Sequence, residues 1–594
     1  MKKDRSMPRL CILALFSLIV LLLACARAAP TATPAPTLAP TATQAPPART
    51  PTAAPVAATP TSVAATPTRV VAVAPTATAI AVAKRKPTGT INILLPTFES
   101  ERWLPRDSRA ESYVMAPMYE SLFFEDPGTR SPVPGPATEW KAELKPGGKV
   151  DWTIKLRKGV QFHKGWGEMK ADDVKFSITE FGRPGSRNSR AADVANWYGK
   201  DPKNIEIIND YELVVHSPGI DVSVEESALV EGVVKILPKS YMEKMGEEEF
   251  AKNPVFSGPY EFIEHKRAQY VKMKALEEHW RVVPEFLEIN MLLVPESTTQ
   301  MALMRTGKGD VAELDLALKK EADAAGLRLT SLKMQTGADG FFGGIWLKSH
   351  PKYDPTIPWV GQDPLDPGPT MVRQAMNLAV DRQAIVSSIL LGEGADTNTG
   401  WYSFTPGAAW TNPELKPLPY DPKKAKELLA QAGYPNGFTF GVWILTNFIQ
   451  EANITEAATS NWEAIGLKPQ RRRIEYRPTV REKLIARETG GWVYVFPNTT
   501  NQTPWSHSCT VGGMSTSTIH HFEHPVMDEL CSKMRGELDF GKRAATARQL
   551  HEFLYKNYLM WPVAFYNQIF MLSSKIDWVP AAANRRWEYA KHRQ

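Results

Sequence analysis

The sequence predicts an α/β fold of two or three lobes behind a long unstructured tether, and three observations carry that prediction. Val150, Trp152, Ile154 and Leu156 alternate with Asp151, Thr153, Lys155 and Arg157, which is the period-two signature of a half-buried strand. From Ala171 the period changes. Val174, Ile178 and Phe181 recur at helical spacing, and Asp172 and Asp173 fall in the first turn, where the helix dipole favours acids. The second observation is size: residues 87–594 of the 594-residue chain are too many for one hydrophobic core, so two or three lobes are expected. The third is residues 26–86, which hold no aromatic and no acidic residue and are almost wholly Ala, Pro, Thr and Val. Such a segment buries too little to offset the entropy of ordering it.

The chain begins with Lys2, Lys3, Arg5 and Arg9, followed by an apolar run from Leu10 to Ala24. A bilayer span needs roughly 20 apolar residues. This run is shorter, follows positive charge and ends in small residues, which is the layout of a secretory signal over 1–24. "Leu22-Leu23-Ala24-Cys25" resembles the lipobox of bacterial lipoproteins, in which the cysteine is acylated and becomes the new N-terminus. Cys25 is therefore the expected lipid site, on the extracytoplasmic face of the cell membrane. Each methylene of an acyl chain contributes about 0.8 kcal/mol of membrane binding. The alternative is an uncleaved signal anchor with an incidental cysteine. Residues 25–87 then form the linker. At roughly 3.1 Å per residue in polyproline II, it reaches beyond ~100 Å.

Removing residues 1–24 removes those four basic groups and Asp4, so the formal charge falls from +6 to +3. A nearly neutral chain of this size argues against nucleic acid as a partner. No other apolar run is long enough to span a membrane. Two cysteines remain, Cys509 and Cys531. Outside the cytoplasm they are expected to form a disulfide, worth roughly 3 kcal/mol in the chain-entropy model. Two free buried thiols are the alternative.

Further along, "YDPKKAKELLAQAGYPNGF" (Tyr420–Phe438) encodes a helix. Asp421 caps it, Pro422 fits the first turn, Ala425, Leu428, Leu429 and Ala432 form one apolar stripe, and Gly433 ends it. Asp381 caps a second helix, with Gly392 at its end.

These segments resemble a known family. "IKLRKGVQFHKGW…ADDVKFSI", "NPVFSGPYEFIEH" (Asn253–His265), "LMRTGKGDVAEL" (Leu303–Leu314), "VRQAMNLAVDRQAIVSSILLGEG" (Val372–Gly394) and Tyr420–Phe438 are similar, in order, to the motifs of family 5 extracytoplasmic solute-binding proteins. Those are the dipeptide, oligopeptide and nickel receptors of ABC importers. The resemblance covers essentially all of 88–580. It implies a periplasmic-binding-protein-like fold of type II: lobe 1 from 88–335 and 562–594, carrying an extra subdomain, and lobe 2 from 336–561. The lobes are expected to cross near Leu332–Trp346 and Asn557–Gln568. The resemblance also implies a monomer that closes on a small solute, a peptide or an oligosaccharide, and delivers it to a permease with its ATPase. It implies no cofactor.

Peptide-binding members place an aspartate after a tryptophan, in a pattern like "W-x-A-D-Y-x-D-P", to pair with the peptide ammonium. The matching stretch here, "GGWVYVFPNTTNQTPW" (Gly490–Trp505), holds no acid. A buried ammonium without a partner is costly. Aromatic faces with amides suit sugars instead. Trp492, Tyr494, Asn498 and Trp505 are the candidate ligand contacts, with Trp401 and Tyr402 from a Gly/Pro-rich loop. Core packing is the plainer reading of the same rings. The segment His507–His524 holds four of the eleven histidines. His520 and His524 are the weak metal candidates within it, although Pro525 interrupts a helical arrangement and no metal site is expected. No catalytic motif is present: there is no G-x-S-x-G, no H-E-x-x-H and no phosphate loop. The expectation is a receptor rather than an enzyme, with a lipid-anchored hydrolase or a sensor on the same fold as the alternatives.

Overall fold

The computed structural model describes residues 86–593 apart from 99–100, 108–113, 126–131, 189, 223–233, 397–402, 500–502, 510–512, 518 and 581–584. All described residues fall in one compact unit, Pro67–Gln594. Cys25 and nearly all of the linker lie outside them.

Strand β1 (Thr90–Leu95) sits inside the large sheet. A separate four-stranded antiparallel sheet follows, built from β2 (Ala137–Leu144), β3 (Val150–Leu156), β4 (Ile205–Asn209) and β5 (Glu212–Ser217) in the order β2-β3-β5-β4. The alternation read in the sequence appears here as Val150, Trp152, Ile154 and Leu156 turned inward. Between β3 and β4 come α1 (Ala171–Gly182) and α2 (Ala191–Trp197). The Asp173 side chain accepts from the Lys170 N–H at 2.9 Å, closing the first turn of α1, while Val174, Ile178 and Phe181 are buried. The chain then returns to the large sheet through β6 (Tyr260–Lys266), β7 (Tyr270–Ala275), β8 (Glu288–Leu293) and β9 (Val311–Glu313).

The long strand β10 (Arg328–Phe342) leads into the second half. There α3 (Pro367–Leu378), α4 (Pro422–Gln431), α5 (Ile449–Ala464), α6 (Pro525–Arg535) and α7 (Phe540–Lys556) surround β11 (Thr439–Leu445), β12 (Lys468–Ile474) and β13 (Trp492–Thr499). A second long strand, β14 (Met560–Leu572), carries the chain back. The sheet order is β12-β11-β13-β10-β14-β9-β1-β8-β7-β6.

β10 and β14 are antiparallel neighbours in mid-sheet, paired from Arg328 opposite Leu572 to Phe341 opposite Met560. The pairing shifts between Leu332 and Thr336 and again between Ala338 and Asp339. Such irregularities bend a strand and increase its twist. On one side of the pair Ile91, Ile93, Val271, Ile289 and Met291 belong to a first core, which Phe570 and Leu572 also enter. On the other side Val442, Ile444, Val493 and Val495 belong to a second core, with Ala338, Phe341 and Trp561, and this core also reaches back across the pair to Leu94, Met301 and Ala312. The two strands therefore contribute to both cores. Gly340 lets them close: a Cβ there would lie 2.0 Å from the Trp561 indole.

Candidate functional site

The signature Val372–Gly394 shapes the return strand. Arg373, wholly buried at the core of α3, donates to the carbonyl of Asn557 at 3.0 Å and of Trp359 at 2.6 Å. Asn377 donates to Met560 O at 3.0 Å, and Arg382 to Pro562 O at 2.6 Å. Neither arginine is hydrogen-bonded to a carboxylate among the described residues, and burial pulls Arg373 down to about 9 and Arg382 to about 10. Asp381 caps the short helix after α3 by accepting from Ala384 N–H at 2.9 Å. Sequence reasoning found the cap but missed the arginines, because their acceptors are main-chain carbonyls some 180 residues away.

Along β14 a chain of polar groups runs beside the second core. The Tyr566 hydroxyl donates to the buried Glu451 carboxylate, at the start of α5. Two residues on, Gln568 donates to Glu313 at 2.7 Å, and Arg585 pairs with the other oxygen of Glu313 at 2.7 Å. Burial raises Glu451 to about 7, with the Tyr566 hydrogen bond and a backbone contact pulling against it and the Glu313 charge adding to it.

A second seam joins the four-stranded sheet to the second core. Arg535, at the end of α6, donates through Nε to Asp221 Oδ1 at 3.1 Å and through Nη2 to the other oxygen. Its Nη2 is also 3.7 Å from Asp193 on α2. The N–H of Val222 donates to Arg535 O at 3.0 Å. Arg190, just before α2, reaches the other way: Nη1 donates to Ser506 O and Nη2 lies 3.0 Å from His507 Nδ1. Burial raises Asp193 to about 6, against the pull of Arg535 and Arg190.

The aromatic candidates among the described residues are packed side chains. Trp492 stacks on Trp443 with ring centroids 5.1 Å apart. Tyr494 is wholly buried, with its hydroxyl 2.9 Å from His521 Nδ1. Trp505 is wholly buried edge-on to Trp410 at 5.5 Å, and the Arg543 guanidinium lies 4.7 Å from its ring. The alternation of rings in 492–496 follows from β13 being an inner strand, between β10 and β11, with both faces covered. Asn498 is on β13 opposite Gly337, and its side chain lies outside the described residues, as do Trp401 and Tyr402.

Cys509 and Cys531 are joined, with their Cα atoms 5.4 Å apart. His520 and His524 do different work. His520 Nδ1 is 2.9 Å from Glu523, whereas the His524 side chain accepts from Val526 N–H and caps α6. Among the described residues no group of three His, Cys, Asp or Glu is placed to hold a metal ion, and no helix is long and apolar enough to cross a membrane. A cavity of about 340 Å³ is lined by Gly89, Phe286, Asp310 and His592 and by none of the seam residues.

Comparison with known proteins gives the context. Residues 131–513 match the model of bacterial extracellular solute-binding proteins, family 5. The chain is 26% identical over 472 residues to heme-binding protein A of Haemophilus influenzae, covering 75% of this chain and 81% of that one. It is 27% identical over 333 residues to the glutathione-binding protein GsiB of Shigella boydii, spanning 57% of that relative and 54% of itself. Among solved structures, the oligopeptide-binding protein AppA of Bacillus subtilis, in complex with a nonapeptide, superposes with a TM-score of 0.69 at 18% identity. The superposition covers 86% of this chain and all of AppA. The fold is thus the two-lobed α/β fold of periplasmic binding proteins.

Proposed function

The chain belongs to the bacterial extracellular solute-binding proteins, family 5, and from that premise we propose that it captures a peptide-type or oligosaccharide-type solute between its lobes and hands it to an ABC permease. The observation that carries the reading is the pair of crossing strands, β10 and β14. They are the two chain crossings between 88–335 and 336–561 and pair in mid-sheet through bulged backbone, which is the material of a hinge. A solute that touches both lobes favours the closed form by the difference in its affinity for the two states. We place lobe 1 at 88–335 and 562–594 and lobe 2 at 336–561. The glutathione and nonapeptide ligands of the relatives support a peptide-class solute. The acid-free stretch Gly490–Trp505 supports one that brings no ammonium there. Ligand contacts are assigned to the candidates Asn498, Trp401 and Tyr402 and to the segment that joins β13 to Trp505. Trp492 is kept as a candidate contact beside them, while Tyr494 and Trp505 are wholly buried side chains.

Cys25 is the proposed lipid site and 25–87 the tether, which together keep a monomeric receptor on the extracytoplasmic face beside its permease. Chemistry on the solute is not part of this reading. The purified chain, screened by thermal shift against peptides, oligosaccharides, nickel chelates and polyamines, tests it. A stabilising compound recovered intact is the expected result. Recovery as a cleaved product would sink the receptor in favour of a hydrolase. Sugars that fail where peptides stabilise would remove the argument from the missing acid.

A further inference from the structure

The Arg535 seam contains no place for a ligand atom between its partners, yet it spans the two cores. β5 ends at Ser217 in the four-stranded sheet. Five residues later Val222 is buried among second-core side chains, and its N–H is bonded to Arg535 O. Asp221 takes two N–H groups of Arg535, and the two side chains, arginine first, are only 18% and 21% exposed. Two-point pairing of this kind is among the stronger charged contacts, and it is fixed in direction. Arg190 adds a contact in the opposite sense, to Ser506 and His507.

The two receiving points on the second core are covalently linked. Cys509 directly follows the turn Pro504–Ser508 that Arg190 contacts, and Cys531 lies four residues, one helical turn, before Arg535 on α6. Their disulfide therefore fixes the spacing between the segment that receives Arg190 and the helix that carries Arg535.

We propose, on the reading of the chain as a two-lobed receptor, that Asp221, Val222 and Arg190 form with Arg535 and Ser506–His507 a latch that closes the lobes without solute, and that the Cys509–Cys531 disulfide holds the receiving side of that latch in register. The latch sets the resting balance between open and closed forms on which a solute then acts. Asp193 gives it a further dependence on Arg535: without the guanidinium, two carboxylates of like charge are left in a desolvated seam.

Hydrogen exchange on the full chain, read by mass spectrometry of the peptide carrying Val222 with no solute added, tests the proposal, together with small-angle scattering for the degree of closure. In the wild-type protein that peptide is expected to be protected. Asp221→Asn and Arg535→Lys are each expected to lower the protection at least about tenfold and to enlarge the radius of gyration, while peptides in β10 and β14 keep theirs. The charge exchange Asp221→Arg with Arg535→Asp restores part of the protection, which a loss of folding could not do. Cys509→Ser with Cys531→Ser is expected to lower it by a smaller factor. A wild-type Val222 peptide that exchanges at the free-chain rate would overturn the latch, as would variants that leave exchange and scattering unchanged. Unchanged exchange in the cysteine variant would remove the disulfide from it. No solute enters the experiment, so failure of the latch and failure of the receptor reading are distinct results.

Discussion

Replacing Glu451 by glutamine isolates one buried proton beside the crossing strand β14. In the folded protein the Glu451 carboxyl is wholly enclosed against Tyr566 on β14, and burial raises it from 4.5 to about 7. The folded chain therefore holds the proton more tightly than the unfolded chain does. The stability tied to it is fully present below pH ~4.5 and is lost as pH rises through about 7. A shift of about 2.5 pH units corresponds to roughly 3 kcal/mol lost between pH ~4.5 and pH ~8. In Glu451→Gln the amide keeps an oxygen for the Tyr566 hydroxyl and carries no charge, so the variant does not suffer that loss. At roughly 2 cal/mol/K per residue, some 500 folded residues give about 1 kcal/mol per degree, so the loss is equivalent to ~3 °C. Calorimetry at about pH 5 and about pH 8 reads it. Melting of the variant relative to wild type should rise by ~3 °C between the two conditions. Parallel profiles would mean that the carboxylate is relaxed by solvent when charged and that its enclosure does not govern its titration.

Gly340→Ala drives a methyl into the Trp561 indole at the centre of the crossing pair, and a loss of about 3 kcal/mol or more in chemical unfolding is expected; a neutral effect would show that the strands move apart at little cost. Arg382→Met removes the side-chain donors to the Pro562 carbonyl and to Asn377 Oδ1, both buried, and should cost about 3 kcal/mol, with Arg382→Lys recovering only part of it. Cys25→Ala should move the protein from the membrane pellet to the soluble fraction of the cells that make it, and retention in the pellet would favour an uncleaved anchor over a lipid. Raising the salt should weaken the Asp221–Arg535 seam less than it weakens exposed pairs such as Lys533–Glu529, read as salt-dependent exchange of the two segments.

How much of this was legible in the sequence depends on how far each signal travels along the chain. Asp381 and Asp421 cap helices three residues away, and the residue types at that spacing carry the information themselves. The inward face of β3 was equally plain, because alternation is a local property. Partners far apart were not legible. Arg190 meets Ser506 across 316 residues, and Arg535 meets Asp221 across 314, with nothing near either arginine to mark a partner. The rings of 492–496 are ambiguous in a different way. An inner strand with helices over it and a strand facing a cleft both select alternating large side chains, so the pattern gives the period and not what lies beyond the face.

On the proposed division into lobes, the Glu451 and Arg535 contacts differ in what opening does to them. Tyr566 lies on a crossing strand, and its partner Glu451 on α5 sits beside that strand, so a hinge motion about β10 and β14 changes this pair by a rotation over a short arm. Asp221 and Arg535 are joined through no shared strand, so the same rotation separates them completely and returns both charges to water. Rehydration offsets much of the lost attraction, which keeps the net contribution of a seam like this to a few kcal/mol at most. That is the useful range for a receptor. Moving a population from roughly 1:99 to 99:1 takes about 5.5 kcal/mol, so a latch of one or two kcal/mol alters the resting balance and still leaves a solute most of the work of closure. A stronger latch would hold the lobes shut against entry. A chain without one would depend wholly on the solute, and its affinity would fall by the fraction of molecules that are closed at rest.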